Sequence, residues 1–225
     1  MKIFIIIPAY NEEKRIAQVL KELSVLPYEV VVVNDCSVDK TAEIVRNFQV
    51  TLLNHKINRG QGAALQTGNQ YALSHGADII VHFDGDGQFL VAEIADFVTQ
   101  IHNGYDIVFG SRFLGKKSDV PKIKNNIIFP IARLVNLFLG IRLTDPQNGF
   151  RAFSKKAAQF VQIENDGAAH CSEISAKAFK NKLKIKEIPI FVQYHRFGQS
   201  FLTSRGRGQS GLQIIIDLLF NKITK

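Results

Sequence analysis

Short apolar runs alternate with amphipathic ones along the first half of the chain. Ile3–Ile7, Glu29–Val33, Thr51–Leu53, Ile79–Phe83 and Ile107–Phe109 are dense in β-branched and aromatic residues. Continuous runs of this kind mark strands buried on both faces. Between them, Ile16, Leu20 and Leu23 share one face at spacings of three and four, as do Ile94, Phe97 and Ile101, which predicts helices with one buried side. Ser37 or Asp39 is placed to cap a helix starting near Lys40. Strand–helix alternation predicts an α/β fold with a doubly wound, mostly parallel sheet.

The second half is less regular. Pro121 to Ile141 is an apolar stretch flecked with lysine and arginine, predicting a helix broken at Pro130. Thr144 to Phe153 reads as a loop entering a strand, Cys171–Asn181 as a helix and Lys184–Ile190 as a further strand. Arg196 to Gly211 is rich in glycine, serine and arginine. A final helix places Leu212, Ile215, Ile216, Leu219, Phe220 and Ile223 on one side and Gln213, Asp217 and Asn221 on the other. The expected organisation is one domain over 1–205, followed by an amphipathic C-terminal helix over 206–225 that belongs to it or lies on a membrane surface.

In doubly wound sheets, ligands bind beyond the carboxyl ends of the strands. Four polar clusters fall there: Pro8-Ala9-Tyr10-Asn11-Glu12, Asn34-Asp35, Asp84-Gly85-Asp86-Gly87-Gln88 and Gly110-Ser111-Arg112. A random scatter of polar loops would not select one edge four times, so a single site is expected. The first turn is not G-x-G-x-x-G, and Pro8, Tyr10 and Glu12 oppose the backbone approach that a dinucleotide requires. Gly110 to Lys116 matches most of a P-loop but fails at Lys117, where a serine or threonine should meet magnesium. Asp84 and Asp86 fit a third template. Hard cations such as Mg2+ or Mn2+ take one or two carboxylates plus substrate phosphates, and Gly85 and Gly87 leave room for a diphosphate. An Asp-Gly turn without ligand is the plain alternative.

Composition narrows the partners. The chain has 225 residues, of which 46% are hydrophobic and 21% charged, so it can bury a sizeable core. Its net charge of +8 favours anionic ligands such as phosphates or anionic lipid. No aromatic–basic interleaving accompanies that charge, so nucleic acid is not an expected partner. Cys36 and Cys171 form no C-x-x-C pair, which speaks against a zinc site and fits a reducing compartment. No apolar run of ~18 residues occurs, and no signal-peptide pattern follows the first strand. The expected location is the cytoplasm, peripheral on the cytoplasmic face of a membrane. Arg205, Arg207, Lys222 and Lys225 flank the last helix, and Arg133 lies within the apolar Ile127–Ile141 stretch, a pattern that suits an interfacial helix.

The strings Ile6–Glu12, Val33–Thr41, Asn58–Ala64, Phe83–Gln88 and Gly110–Arg112 together resemble the inverting family-two glycosyltransferases of GT-A fold. Asp145–Phe153 and His170–Ile174 extend the likeness towards the polyprenyl-phosphate sugar transferases, the dolichol-phosphate mannose synthase group. The resemblance implies a GT-A sheet with a C-terminal acceptor-side extension and amphipathic helix. It implies that Pro8, Tyr10, Glu12 and Asp35 hold the base and ribose of a UDP- or GDP-linked sugar. Asp84 and Asp86 would serve metal and diphosphate, with Gln88 a further ligand to Mg2+ or Mn2+. Arg112 would face phosphate. Lys124, Arg151, and Arg196 or Arg207 are its acceptor-side or phosphate candidates, with Arg205 the alternative in the last loop. The chain departs from the pattern at Asn34, where the family often has aspartate, and at Gln147, where serine or histidine is usual. Lys124 stands in place of an arginine and loses its two-pronged hydrogen bonding.

Two acceptors remain open at this level. A polyprenyl phosphate presents an ionised oxygen and needs no general base. A sugar hydroxyl in envelope or glycan assembly needs a carboxylate to take its proton, with Asp145 and Glu173 the candidates. Each also has a structural reading, Asp145 as a turn cap and Glu173 as a helix start, whereas His170 reads as structural. A non-catalytic nucleotide-sugar module would not need the Asp84, Asp86 and Gln88 set. A separate membrane protein partner is also compatible with the sequence.

Overall fold

The computed structural model describes residues 1–115, 142–167 and 169–193. Seven strands form one sheet: β1 (Ile3–Ala9), β2 (Glu29–Asn34), β3 (Thr51–Asn54), β4 (Ile79–His82), β5 (Ile107–Ser111), β6 (Arg151–Ser154) and β7 (Ile185–Pro189), in the order β3-β2-β1-β4-β6-β5-β7. The predicted strands are all present. β1 continues through Pro8 and Ala9, and β5 continues through Gly110 and Ser111, so those two residues are strand and not a phosphate loop.

β6 runs antiparallel to both of its neighbours, whereas the other pairings are parallel. That reversal positions the site. Arg151, the first residue of β6, pairs with His82 and Phe109 near the carboxyl ends of β4 and β5. The loop that feeds β6, residues 142–150, is therefore delivered to the edge where Asp84 and Arg112 leave the sheet.

Helices cover both faces. On one, α1 (Ile16–Leu23) buries Ile16, Val19, Leu20 and Leu23, and α4 (Ile94–His102) buries Ile94, Phe97, Val98 and Ile101, as their periodicity predicts. These pack on Ile5, Ile7, Val32, Val81 and Phe83. The opposite core contains Phe4, Ile6, Val31, Ile80, Phe109 and Phe153. It is covered by α3 (Gln61–Ser74), α5 (Lys155–Phe160) and α6 (His170–Lys180). Large-residue periodicity does not reveal α3, because its buried face is Gly62, Ala63, Ala64, Leu65, Gly68 and Ala72. A Cβ on Gly68 would fall 2.2 Å from Ile6 Cγ2, so the helix backbone rests directly on β1. The short helix α2 (Thr41–Val45) has Lys40 at its N-cap and no side-chain cap, so neither expected residue caps it: Asp39 Oδ1 accepts from Thr41 N at 2.9 Å in the turn before it, and Ser37 Oγ is used elsewhere.

One aromatic knot fastens the 142–150 loop to the first core. Phe150 stacks on Phe97 with centroids 4.0 Å apart and meets Phe83 edge-on at 5.2 Å. Phe150→Ala should destabilise the protein by about 3–5 kcal/mol. Phe160→Ala, at a side chain 55% exposed, should stay within about 0.5 kcal/mol. Urea denaturation of both variants checks the contrast.

Candidate active site

The loops after β1 and β2 are zipped together by side chains. Asn11, at φ 59°, donates from N to Ser37 Oγ at 3.0 Å and accepts from Val38 N at 2.9 Å. Glu12 N donates to Thr41 Oγ1 at 2.7 Å, and Glu13 N to Asp39 Oδ2 at 3.1 Å. Asn34 uses its amide in both directions, donating to Asn54 Oδ1 at 2.9 Å and accepting from Ser37 N at 3.1 Å. Pro8 lies within β1 and Tyr10 is exposed beside it.

Asp35 is buried and heavily engaged. His55 Nδ1 lies 2.7 Å from Oδ1, Arg59 N donates to Oδ1 at 2.9 Å, and Gly60 N donates to Oδ2 at 2.7 Å. His55 continues to Thr67 Oγ1 through Nε2 at 2.9 Å. Asp35 thereby fixes the turn that starts α3. His55 carries no motif of its own, and sequence alone did not single it out.

Asp84, Asp86 and Gln88 follow β4. Gln88 N donates to Asp86 Oδ1 at 3.0 Å, and Gln61 Nε2, at the start of α3, donates to Asp84 Oδ1 at 2.9 Å. Burial first, then the charges of Asp86 and Asp84, raise the Glu12 carboxyl to about 7. Burial and then Asp86 and Cys171 raise Asp84 to about 7 as well, against the opposing pull of Arg151 and His170. The three carboxylates therefore share one field, although they come from two strand ends. Among the described residues no group of three or more His, Cys, Asp or Glu side chains is placed to hold a metal ion. Two carboxylates and one amide oxygen still suit a hard cation that takes its remaining ligands from phosphate and water.

Arg112 and Asp145 form a two-pronged pair. Nε and Nη2 donate to Oδ2 and Oδ1 at 2.6 Å each, and Arg112 N donates to Oδ2 at 3.1 Å. Glu187 accepts from Thr144 N, Thr144 Oγ1 and Asp145 N, which anchors the loop to β7. Asp145 consequently does not stand free as the base that a hydroxyl acceptor requires. Both its oxygens are held by the Arg112 guanidinium. Glu173 is committed too, accepting from Glu164 N at 2.9 Å, Asn165 N at 2.8 Å and Lys177 Nζ at 2.7 Å.

Arg151 is fully buried over Phe109, and its three guanidinium nitrogens have no hydrogen-bond partner. The phosphate contact expected of Arg151 would have to be made by a guanidinium that lies buried. Its charge acts inside the molecule. Burial pushes the Cys171 thiol up, but Arg151 and His170 outweigh that and bring it to about 6. Burial opposes a charged His170, yet the neighbouring Cys171, 3.5 Å from Nε2, raises it. Burial, reinforced by Arg151, holds His82 neutral. His170 Nδ1 lies 2.8 Å from Gly167 O, in keeping with a structural histidine. Lys124, Arg196 and Arg207, with the amphipathic C-terminal helix and the Pro121–Ile141 stretch, lie outside the described residues.

The model for "Glycosyl transferase family 2" matches residues 4–161. The UDP-N-acetylglucosamine–dolichyl-phosphate N-acetylglucosaminyltransferase of Methanococcus voltae is 34% identical over 99% of this chain and 97% of its own. The undecaprenyl-phosphate mannosyltransferase of Micrococcus luteus is 26% identical over 95% and 93%. Among solved structures, the glucosyl-3-phosphoglycerate synthase of Mycobacterium tuberculosis, in complex with Mn2+, UDP and phosphoglyceric acid, aligns with a TM-score of 0.70. The alignment covers 97% of this chain and 78% of that one at 18% identity, a likeness of GT-A fold.

The raised carboxyls give a pH signature. Glu12 and Asp84 keep their protons to about pH 7 when folded, whereas ordinary carboxyls lose them near 4.5 and 3.8. The folded state then binds more protons across that window, so these groups withdraw stability as pH rises from about 4 to 7. A divalent cation competes for the same oxygens. The melting-temperature gain on adding Mn2+ should therefore be larger at pH 8 than at pH 6, as differential scanning fluorimetry would register.

Proposed function

Because this chain belongs to glycosyl transferase family 2, we propose that it moves a sugar from a nucleoside diphosphate, UDP foremost, to a polyprenyl phosphate, with Mg2+ or Mn2+ held at Asp84, Asp86 and Gln88. The observation that carries the acceptor assignment is the commitment of both candidate bases, Asp145 to Arg112 and Glu173 to the 164–165 backbone and Lys177. A phosphate oxygen already ionised near neutral pH needs neither of them. The M. voltae relative, named for dolichyl phosphate and UDP-N-acetylglucosamine, supports the same acceptor class and donor nucleotide. The UDP and Mn2+ of the M. tuberculosis structure are in keeping with that donor and metal.

In this reading, Tyr10, the backbone around Asn11 and the Asp35 turn seat the base and ribose. Asp84, Asp86 and Gln88 offer oxygens to a divalent ion, whose chemistry when bound is to neutralise the leaving diphosphate. Arg112, its head fixed flat by Asp145, adds positive charge at the same edge of the sheet. The protein's task is to hold donor and acceptor in line and to stabilise the charge that develops on the leaving group. The acceptor oxygen attacks the anomeric carbon from the face opposite the diphosphate, and inversion follows. No helix among the described residues is long and apolar enough to cross a membrane. The basic and apolar sequence of 121–141 and 206–225 supports contact with a lipid surface.

The assay is nucleoside diphosphate release from a panel of UDP- and GDP-sugars with Mn2+ or Mg2+, with and without polyprenyl phosphate. Release that depends on the lipid phosphate is expected. Efficient transfer to a sugar hydroxyl without it would overturn the acceptor assignment. Asp86→Ala should lower turnover by more than about 100-fold, beyond the loss typical of an outer-shell change, with circular dichroism unaltered.

A further inference from the structure

Asp84 is clasped from two sides. On one side Gln61 Nε2 donates to its Oδ1 at 2.9 Å. On the other is Gly149, where a Cβ would lie 2.7 Å from Asp84 Oδ2, 3.2 Å from Oδ1 and 3.3 Å from Cγ. Real Cβ atoms essentially never approach heavy atoms as closely as 2.7 Å, so an alanine at 149 forces something to move. Gly149 is not among the residues with positive φ. Its missing side chain answers a need for space and not a backbone conformation open only to glycine.

What moves is decided by stiffness. Residues 148–150 are tied down at each end. Asn148 N donates to Asp145 O at 3.2 Å and Phe150 N to Asn148 Oδ1 at 2.8 Å, while Gly110 N donates to Phe150 O at 3.0 Å. Phe150 itself is stacked on Phe97. The Asp84 carboxylate, joined to its backbone through two torsions, is the softer partner and would swing away. Gln61 is placed with similar care. Gly60 and Gly62, on either side of it, lie so close to the carbonyls of Asp166 and Asn165 that added Cβ atoms would fall at 2.3 and 2.0 Å. Gly62 N also donates to Asp166 O at 2.9 Å. The 164–165 backbone in turn hangs from Glu173 and so from Lys177.

We propose that Gly149 and Gln61 are positioning residues which set where the Asp84 carboxylate can reach, and thereby how tightly the donor site holds a divalent cation. The inference rests on the metal-dependent reading of the site given above. Neither residue touches the reacting atoms; each acts through Asp84. Outer-shell partners of metal-binding side chains commonly govern affinity by about 10- to 100-fold, and a loss in that range is expected for Gly149→Ala. Gln61 is exposed at the start of α3, so Gln61→Leu tests the second contact with little risk to folding.

The experiment is Mn2+ titration of the purified full chain, followed by the electron paramagnetic resonance of the free ion, with thermal melts in parallel. Wild type, Gly149→Ala, Gln61→Leu and Asp84→Ala are measured, together with each of the first two substitutions in the Asp84→Ala background. Weaker Mn2+ binding in both single variants, melting temperatures near wild type without metal, and no further loss in the Asp84→Ala background would be the expected result. A general packing role would instead add its full effect in that background. Mn2+ affinity equal to wild type in Gly149→Ala and Gln61→Leu, with Asp84→Ala impaired, would overturn the positioning role alone. Equal affinity in wild type and Asp84→Ala would remove the metal assignment of the site itself. If Gly149→Ala does not fold, Gln61→Leu and its double variant decide the matter.

Discussion

Repulsion among Glu12, Asp84 and Asp86 is the constraint on which the rest of the site depends. Burial at the sheet edge holds the protons on Glu12 and Asp84, and the neighbouring carboxylates add to the effect. Such a cluster persists only if the surrounding structure is stiff enough to deny the side chains a way apart. The zipped β1 and β2 loops hold Glu12, and α3 with the 142–150 loop holds Asp84. A divalent ion bound there, as proposed, would convert mutual repulsion into shared attraction.

The reversed strand β6 makes this possible. Were β6 parallel to its neighbours, its feeding loop would open at the far edge of the sheet, away from Asp84 and Arg112. Its antiparallel course brings Asp145, Gly149 and Phe150 to the ligand edge in one short segment. Phe150 anchors that segment in one core, Asp145 orients Arg112, and Gly149 leaves the space that Asp84 occupies. Arg151, one step further, carries its charge beneath the site. A buried guanidinium is costly unless negative charge lies near it, and the Cys171 thiolate, favoured by Arg151 and His170, is such a partner within its field.

Much of this was legible in the chain. The strand runs and the two amphipathic helices follow from apolar periodicity alone, and polar clusters at four strand ends mark the site edge. α3 was not legible, because a helix that lies against a sheet through glycine and alanine has no stripe of large residues to betray it. Roles were less legible than positions. Asp145 read equally well as a base or as a structural residue, and Glu173 somewhat better as a structural one, since a carboxylate's function depends on what its oxygens already hold. Arg151 read as a ligand-facing charge, because sequence does not say on which face of a strand an arginine is sealed.

The sequence by itself determined the fold class, the sheet edge at which the polar clusters gather and the Asp84–Asp86–Gln88 spacing within it, all consequences of local periodicity and short spacings. Tertiary structure alone decided the partners. Asp145 meets Arg112 across 33 positions, Asp84 meets Gln61 across 23, and Gly149 comes against Asp84 from another strand end. The physical reason is that ionisation, hydrogen-bond commitment and free space are set by neighbours distant along the chain. These become neighbours only once the sheet order, with β6 inserted backwards, has closed the edge.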